Sequence, residues 1–205
     1  WEYDSLTGRW FGLEEEMAES GFHPRLRATQ VYQYNVHGGT EAGEGGWSNT
    51  YDLDLNFELE KLVGWPDAFL PIRVQGGWRS GAGVDAEAVG CLFGINDDLG
   101  SERTADVTEV RLQQNFLEDR IRLRLGKLDI TKGIEVRGVP VAFDAGLYAN
   151  DERNQFINSA LVNNPTIAFP AKGIGVELHL LPLDWWYASI AAGDADADGR
   201  ETGLN

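Results

Sequence analysis

The segment from Tyr51 to Glu60 alternates strictly, with an apolar or aromatic residue at every odd position and an acid or asparagine at every even one. Only a β-strand, whose successive side chains point to opposite faces, gathers all the apolar groups on one side. The other side is unusual because nearly every residue on it is ionisable. One face therefore favours hydrocarbon and the other favours water, over about the 9–11 residues that a strand needs to cross a membrane.

The same alternation recurs along the chain and predicts about seven strands. They are expected near residues 25–36, 51–60, 72–79, 109–116, 120–125, 174–180 and 185–192. The connections between them are long after the first, third and fifth strands and short after the second, fourth and sixth. In an antiparallel sheet this order puts all short turns at one rim, which is typical of outer-membrane barrels. The predicted fold is therefore all-β, a transmembrane antiparallel β-barrel.

Composition excludes several other classes of protein. The formal net charge of −16 argues against binding to nucleic acid, which requires a basic surface. No run of about 18 apolar residues occurs, so no transmembrane helix is predicted. Cys91 is the single cysteine, which rules out an internal disulfide. His23, His37 and His179 are too widely separated for a metal-ligand motif, and no nucleophile or phosphate-binding motif is present, so we expect no enzyme.

The chain divides into a helical segment at residues 1–21 and a β-rich part at residues 22–205. A helix is predicted over residues 5–20 because its apolar residues recur at helical spacing, and Gly21 ends it. Those apolar residues are Leu6, Trp10, Leu13 and Met17. The connection at residues 131–170 is far longer than most connections in compact domains, and such long loops are usually functional.

Four segments of the chain carry a more specific signal. They are Leu-Thr-Gly-Arg-Trp-Phe-Gly-Leu at 6–13, Leu-Glu-Lys-Leu-Val-Gly-Trp-Pro at 59–66, Arg-Leu-Gly-Lys-Leu-Asp at 124–129 and Leu-Pro-Leu-Asp-Trp-Trp-Tyr at 181–187. Together they resemble the carbohydrate-selective porin family, the OprB-like outer-membrane porins, over nearly the whole chain.

The resemblance implies a barrel of about sixteen strands in the outer membrane of a Gram-negative-type bacterium. It also implies passive diffusion of carbohydrates and other small hydrophilic solutes. The expected partners are outer-membrane lipid and mono- and oligosaccharides, with a homo-oligomer as an open alternative. Bacterial single-chain barrels normally have an even number of strands. The odd predicted count therefore suggests that residues 22–205 are the N-terminal half of a barrel, that residues 1–21 lie in the periplasm and that the native polypeptide continues.

Arginines predominate on the polar faces of the fourth and fifth predicted strands. The candidate channel-lining residues there and on the third strand are Arg73, Glu109, Arg111, Arg120, Arg122 and Arg124. Unpaired guanidiniums can donate several hydrogen bonds to sugar hydroxyls or attract anions. The alternative is that acids of the 131–170 loop neutralise them. On the first three strands acids and arginines alternate in sign, which favours cross-strand pairs with a structural role.

The 131–170 loop supplies a second group of candidates. The resemblance implies that it folds into the barrel and narrows the channel, as the corresponding loop does in porins. Asp151, Arg153 and Asn154 would then place polar groups at the constriction. The alternative is a surface loop that covers the mouth of the barrel.

An acidic run close to residue 205 resembles the start of a calcium-binding loop. Asp194, Asp196 and Asp198 have the spacing of the first three ligands, and Gly199 follows them. The twelfth position is Asn205 rather than the glutamate that normally binds in a bidentate manner. We therefore favour a solvated acidic loop over a calcium site and expect no cofactor.

Two other functions remain open at this point. A general or anion-preferring porin would use the arginines of the fourth and fifth strands equally well. A soluble sugar-binding β-protein would also show alternating strands, although the sorting of connections by length and the charged faces favour the barrel.

Overall fold

The computed structural model describes residues 8–80, 88–90, 105–129, 135–136, 139–140, 172–183 and 185–194. Helices among these residues are short: α1 Gly8–Phe11, α2 Glu14–Glu19 and α3 Leu59–Val63. The strands are β1 Phe22–Tyr34, β2 Gly45–Glu58, β3 Ala68–Ser80, β4 Asp106–Phe116, β5 Ile121–Asp129, β6 Glu135–Val136, β7 Val139–Pro140, β8 Lys172–Leu183 and β9 Trp186–Gly193. No helix in the described ranges is long and apolar enough to cross a bilayer.

Seven strands form one antiparallel sheet in which each long strand pairs with the next one along the chain. Their order is β1-β2-β3-β4-β5-β8-β9, and β6 pairs with β7 in a separate small sheet. This is the meander that the alternating pattern predicts. The strands extend beyond the strictly alternating residues, because backbone pairing continues where the side chains are small or polar, as it does between Gln30 and Asn49.

Burial on this sheet is the reverse of that in a water-soluble β-protein. The buried apolar residues of the described chain are Ala68, Ala88, Leu128 and Leu181. The buried polar residues are Asn35, Ser48, Asn49, Asp52, Thr108, Glu109, Asn115, Glu177 and His179. Large apolar side chains face outward, for example Leu26 (55% exposed) and Ile190 (67% exposed). Water-soluble proteins bury apolar residues and rarely bury acids, so this sheet is built for hydrocarbon on one face and a polar space on the other.

Exposed tryptophans mark both ends of the sheet. Trp65, Trp185 and Trp186 lie at the end where short turns join β2 to β3 and β8 to β9, while Trp47 and Trp78 lie towards the other end. Membrane proteins concentrate tryptophan at the two membrane–water interfaces. The two groups of tryptophans, at opposite ends of the strands, therefore mark the two edges expected of a membrane-spanning band.

The N-terminal segment differs from the continuous helix predicted over residues 5–20. Arg9 and Trp10 have left-handed backbone angles within α1, and Gly12 (φ 89°) lies between α1 and α2. The indole Nε1 of Trp10 donates a hydrogen bond to the carbonyl of Pro24 at 2.8 Å, which ties α1 to β1. Short helices have little stability of their own. The contact of Trp10 with β1 therefore helps to hold this segment, which is two short helices rather than one continuous helix.

A group of ionisable residues at the short-turn end, here called the rim cluster, holds α2 against the sheet. It consists of His23, Glu58 and Lys61. Glu58 accepts from His23 Nε2 at 2.6 Å and pairs with Lys61 Nζ at 2.8 Å. Lys61 Nζ also donates to the carbonyl of Ala18, in α2, at 2.8 Å. A cation at the C-terminal end of a helix is favourably placed for the free carbonyls there.

At the opposite end, Asn35 joins two long connections. Its side-chain Nδ2 donates to the carbonyls of Gly38, Glu41 and Ala88 at 2.9 to 3.1 Å. The backbone N–H groups of Thr40 and Glu41 donate to the same Ala88 carbonyl. The loop after β1 is therefore anchored to a described part of the loop after β3.

Candidate functional site

The polar face of β1 to β4 carries a continuous chain of ion pairs, here called the first network: Arg27, Asp54, Arg73, Glu109 and Arg111. The pairing register of β2, β3 and β4 brings these residues together, because Asp54 lies opposite Arg73 and Arg73 lies opposite Glu109. Asp54 accepts from Arg27 Nη2 at 2.7 Å and from Arg73 Nε. Glu109 accepts from Arg73 Nη1 at 3.0 Å and from Arg111 Nη1 at 2.9 Å. Each carboxylate therefore joins two guanidiniums.

Glu109 is the most sheltered charge in this network. Its side chain is 6% exposed, against 22% for Arg73 and 25% for Arg111. The register between β3 and β4 shifts beside it, between Arg73 and Val74, and Thr108 is buried at that point. A bulge of this kind bends a strand and re-aims its side chains. The register shift thus lies beside the residue, Glu109, whose side chain bonds to two arginines.

A second network crosses the polar face from β4 to β9: Gln113, Arg124, Glu177, His179 and Ser189. Arg124 lies opposite both Gln113 and Glu177 in register. Its Nε donates to Gln113 Oε1 at 3.0 Å and its Nη1 donates to Glu177 Oε2 at 3.2 Å. His179, whose side chain is fully buried, contacts Glu177 Oε2 at 3.3 Å and Ser189 Oγ at 3.2 Å. One carboxylate therefore connects β5 with β8.

Arg122 belongs to neither network. It lies opposite Asn115 on β4 and His179 on β8. Its Nε is buried without a hydrogen-bond partner, and its guanidinium forms no hydrogen bond or ion pair with any described residue. A buried donor without an acceptor is uncommon in proteins and calls for a water or ligand.

Arg120 lies in a different place from the one predicted. It is in the turn before β5 rather than on the strand, and its Nη1 donates to the carbonyl of Pro182 at 2.7 Å. The three residues before it, Leu117, Glu118 and Asp119, all have positive φ. This left-handed turn separates Arg120 from the alternation of β5. The four arginines predicted to line one face therefore have unlike surroundings. Arg111 and Arg124 pair with an acid, Arg122 has no partner within the described ranges, and Arg120 is bound to a backbone carbonyl at the rim.

Glu177 is the main partner that the sequence did not reveal. Glu177 and His179 are two positions apart on β8, so the alternation predicts that both lie on the polar face. The pairing of Glu177 with Arg124, however, depends on the register between β5 and β8. The long connection between these strands leaves that register undetermined from sequence.

The sequence as a whole decides the family. Residues 46–205, from β2 through β9, match the family model described as carbohydrate-selective porin, OprB family. The chain belongs to the OprB family. This confirms the resemblance drawn from the four sequence segments.

Two curated relatives extend the comparison. Porin B of Pseudomonas aeruginosa is 20% identical over 204 residues, which cover 97% of this chain and 43% of that protein. Porin AaxA of Chlamydia trachomatis serovar D is 29% identical over 183 residues, which cover 86% of this chain and 37% of that protein. The OprB-family chain described here thus spans less than half the length of these relatives.

A solved structure has the same fold. The high-pH structure of OprB from Pseudomonas putida superposes with a TM-score of 0.76 at 17% identity, covering 97% of this chain and 46% of that one. The predicted transmembrane β-barrel architecture is therefore confirmed. Membership in the OprB family, with porins of Gram-negative bacteria among the relatives, places the chain in the outer membrane. The apolar face of the sheet accordingly faces lipid and the polar face lines the lumen.

Several predicted site residues lie outside the described residues of this OprB-family chain. Asp151, Arg153 and Asn154 of the 131–170 loop are among them, as are Asp196 and Asp198 of the acidic run. Asp194 is described: it directly follows β9, and its backbone N–H donates to the carbonyl of Ile174 at 2.8 Å. The constriction and the calcium motif therefore remain sequence predictions.

Proposed function

We propose that the protein containing this chain is a porin through which mono- and oligosaccharides and other small hydrophilic solutes diffuse passively. The observation that carries this proposal is the sheltered polar face, on which ten side chains of the first and second networks hold fixed donors and acceptors along the lumen. A polar, water-filled lumen within an apolar exterior is the arrangement of a diffusion channel. The proposed activity involves no covalent chemistry and requires no cofactor.

The preference for sugars is supported by the kind of polar group on the wall. A sugar presents many hydroxyls that both donate and accept hydrogen bonds, and the two networks offer guanidiniums, carboxylates and amides in alternation. A carboxylate such as Asp54, 24% exposed, can accept from hydroxyls while arginines such as Arg73 and Arg111 donate to them. The description of the family as carbohydrate-selective agrees with this chemistry.

The residues proposed to line the channel are Arg73, Glu109, Arg111, Arg122 and Arg124. Asp151, Arg153 and Asn154 remain proposed constriction residues on the strength of the sequence alone. Arg120 is no longer favoured as a channel residue, because its guanidinium is bound to the Pro182 carbonyl at the rim.

An anion-preferring porin is the alternative, and Arg122 is the observation that favours it. A cation without a counter-charge in a confined passage raises the local concentration of anions. Liposome swelling with D-glucose and with maltose, beside bilayer conductance in KCl, distinguishes the two functions. We expect faster swelling with the sugars than with uncharged solutes of similar size that carry few hydroxyls. Large ion currents without any preference for sugars would reject the sugar function.

A further inference from the structure

Arg122 is surrounded by polar groups whose bonds are directed elsewhere. Its neighbour on β4, Asn115, accepts from Gln113 Nε2 at 3.1 Å and donates to Asp119 Oδ1 at 2.7 Å. Its neighbour on β8, His179, contacts Glu177 and Ser189. The acid Glu177 turns one oxygen towards both Arg124 and His179. The acceptors near Arg122 in the sheet therefore serve other donors.

The contrast with the other lumen-facing arginines is chemical. Arg111 and Arg124 each donate a guanidinium N–H to a carboxylate, and Arg124 donates a second one to Gln113. These bonds hold their planes in fixed positions. Arg122 shows no such bond within the described chain. Its Nε is buried, so the N–H donors of its two Nη atoms are the ones available to oxygen atoms in the lumen.

The position of Arg122 along the strand is also distinct. It follows Ile121, the first residue of β5, and so lies next to the short turn formed by residues 117–120. Short turns lie on the periplasmic side in outer-membrane barrels. Glu109, by contrast, lies opposite Arg73 in the middle of β3, well away from the β4–β5 turn.

We infer that Arg122 forms a separate solute contact at the periplasmic end of the lumen wall, apart from the first network. The ligand is an oxygen acceptor of the passing solute, either a sugar hydroxyl or the oxygen of a small anion. The inference rests on the proposed function, since it assumes that solutes pass along this wall. The lumen wall then offers a solute two polar contacts in turn, the ion-paired first network and the cationic Arg122 nearer the periplasm.

The test compares Arg122→Ala and Arg122→Lys in the native polypeptide with wild type. Arg9→Ala, which removes an exposed arginine from the N-terminal segment, is the matched control for net charge. Folding into the membrane is checked by the heat-dependent mobility that intact barrels show on gels. The readouts are the liposome swelling rate with D-glucose and the reversal potential in a KCl gradient.

Removing the guanidinium is expected to lower the glucose swelling rate about three- to ten-fold, or to shift the reversal potential towards cation preference. Lysine keeps the charge but lacks the planar set of donors. If Arg122→Ala lowers the glucose rate and Arg122→Lys does not restore it, the contact is to hydroxyls through the planar set of donors. If Arg122→Ala shifts only the reversal potential and Arg122→Lys restores it, charge suffices and the contact is to anions. Folded Arg122→Ala and Arg122→Lys channels that match wild type and Arg9→Ala in both readouts would overturn the inference.

Failure of the proposed function gives a different result. In that case wild type itself would show no sugar preference, while the reversal potential would still report whether Arg122 contacts permeating ions. The two ideas can therefore fail separately.

Discussion

The first and second networks shelter charge on the same wall in different ways. In the first network each acid, Asp54 or Glu109, joins two arginines, so that positive and negative groups alternate from β1 to β4. In the second network a single acid, Glu177, pairs with a single arginine, Arg124, and Gln113, His179 and Ser189 complete the chain. The first network is thus a set of mutually dependent ions, whereas the second depends on one carboxylate.

Exposure separates the two networks as well. The arginine side chains of the first network are about a quarter exposed, for example Arg27 at 27%, whereas Arg124 is 13% exposed and His179 is fully buried. Water therefore screens the arginines of the first network more strongly than Arg124, whereas the acids Glu109 and Glu177, at 6% and 8% exposed, are sheltered to a similar degree. The stability lost when an acid is removed is therefore expected to depend on the number of cations that it pairs with and on the access of water to those cations.

The largest effect on stability is expected from Glu109→Gln. Two guanidiniums would lose their carboxylate, and the side chain they surround is almost fully sheltered. We expect the free energy of unfolding to fall by about 2–3 kcal/mol, since hydrogen bonds to charged groups contribute about 1.5–3 kcal/mol each and the arginines retain some access to water. Urea unfolding of the reconstituted barrel measures this loss.

Glu118→Gln, in the exposed turn between β4 and β5, is the matched control for this substitution. It removes the same charge from a side chain that forms no bond within the described chain. A loss from Glu109→Gln no larger than that of the control would mean that the first network contributes little to stability.

Gly126→Ala is expected to have the next largest effect, because Gly126 lies opposite Arg111 where the two networks approach each other on β4 and β5. An added Cβ would lie 2.3 Å from the carbonyl oxygen of Val110, and the residue has φ +134°. We expect a loss of about 2 kcal/mol from the combined clash and backbone strain. Gly38→Ala separates the two causes, since Gly38 has φ +78° with nothing within 4 Å of the added Cβ. Equal losses at the two glycines would show that the clash relaxes without cost.

Glu177→Gln should change stability less and ion selectivity more. It removes the acid of the second network, so that neither Arg124 nor Arg122 has an acidic partner among the described residues. We expect a loss of about 1–2 kcal/mol in unfolding free energy and a shift of the reversal potential towards anions. The shift should exceed that of Glu109→Gln, where Asp54 still balances Arg73 and Asp52 lies 3.8 Å from Arg27. A larger selectivity change from Glu109→Gln would reverse the comparison between the networks.

The sequence predicted the faces of the sheet better than the contacts on it. Period-two alternation placed Asp54 and Arg73 on the polar face and Leu26 on the apolar face, because a strand offers each side chain only two directions. The short turns between β2 and β3 and between β4 and β5 also limited the possible registers. The pairing of Asp54 with Arg73 on adjacent strands is therefore one that the alternation of charge between these strands predicts.

The contacts that were not predicted have physical causes that a pattern does not show. The register shift beside Thr108 changes which residue of β4 meets Arg73, and such a bulge leaves no distinct pattern in polar residues. The left-handed turn before β5 moves Arg120 away from the lumen. The long loop between β5 and β8 hides the pairing of Arg124 with Glu177.

The smallest effect is expected at the rim cluster, which tests the role of screening in the comparison. Lys61 is 43% exposed and Glu58 is 25% exposed, so the cluster is more open than either network. Lys61→Met keeps the aliphatic stem but removes the charge that pairs with Glu58 and the donor to the Ala18 carbonyl. We expect a loss of about 0.5–1 kcal/mol at low salt, typical of an exposed pair with one additional hydrogen bond. Because salt screens exposed charges over about 3 Å at 1 M, most of that loss should disappear there, whereas the loss from Glu109→Gln should persist. A salt dependence that is equal for the two variants would show that water reaches the first network as freely as the rim, and the distinction between sheltered and open charge would no longer explain how this wall is stabilised.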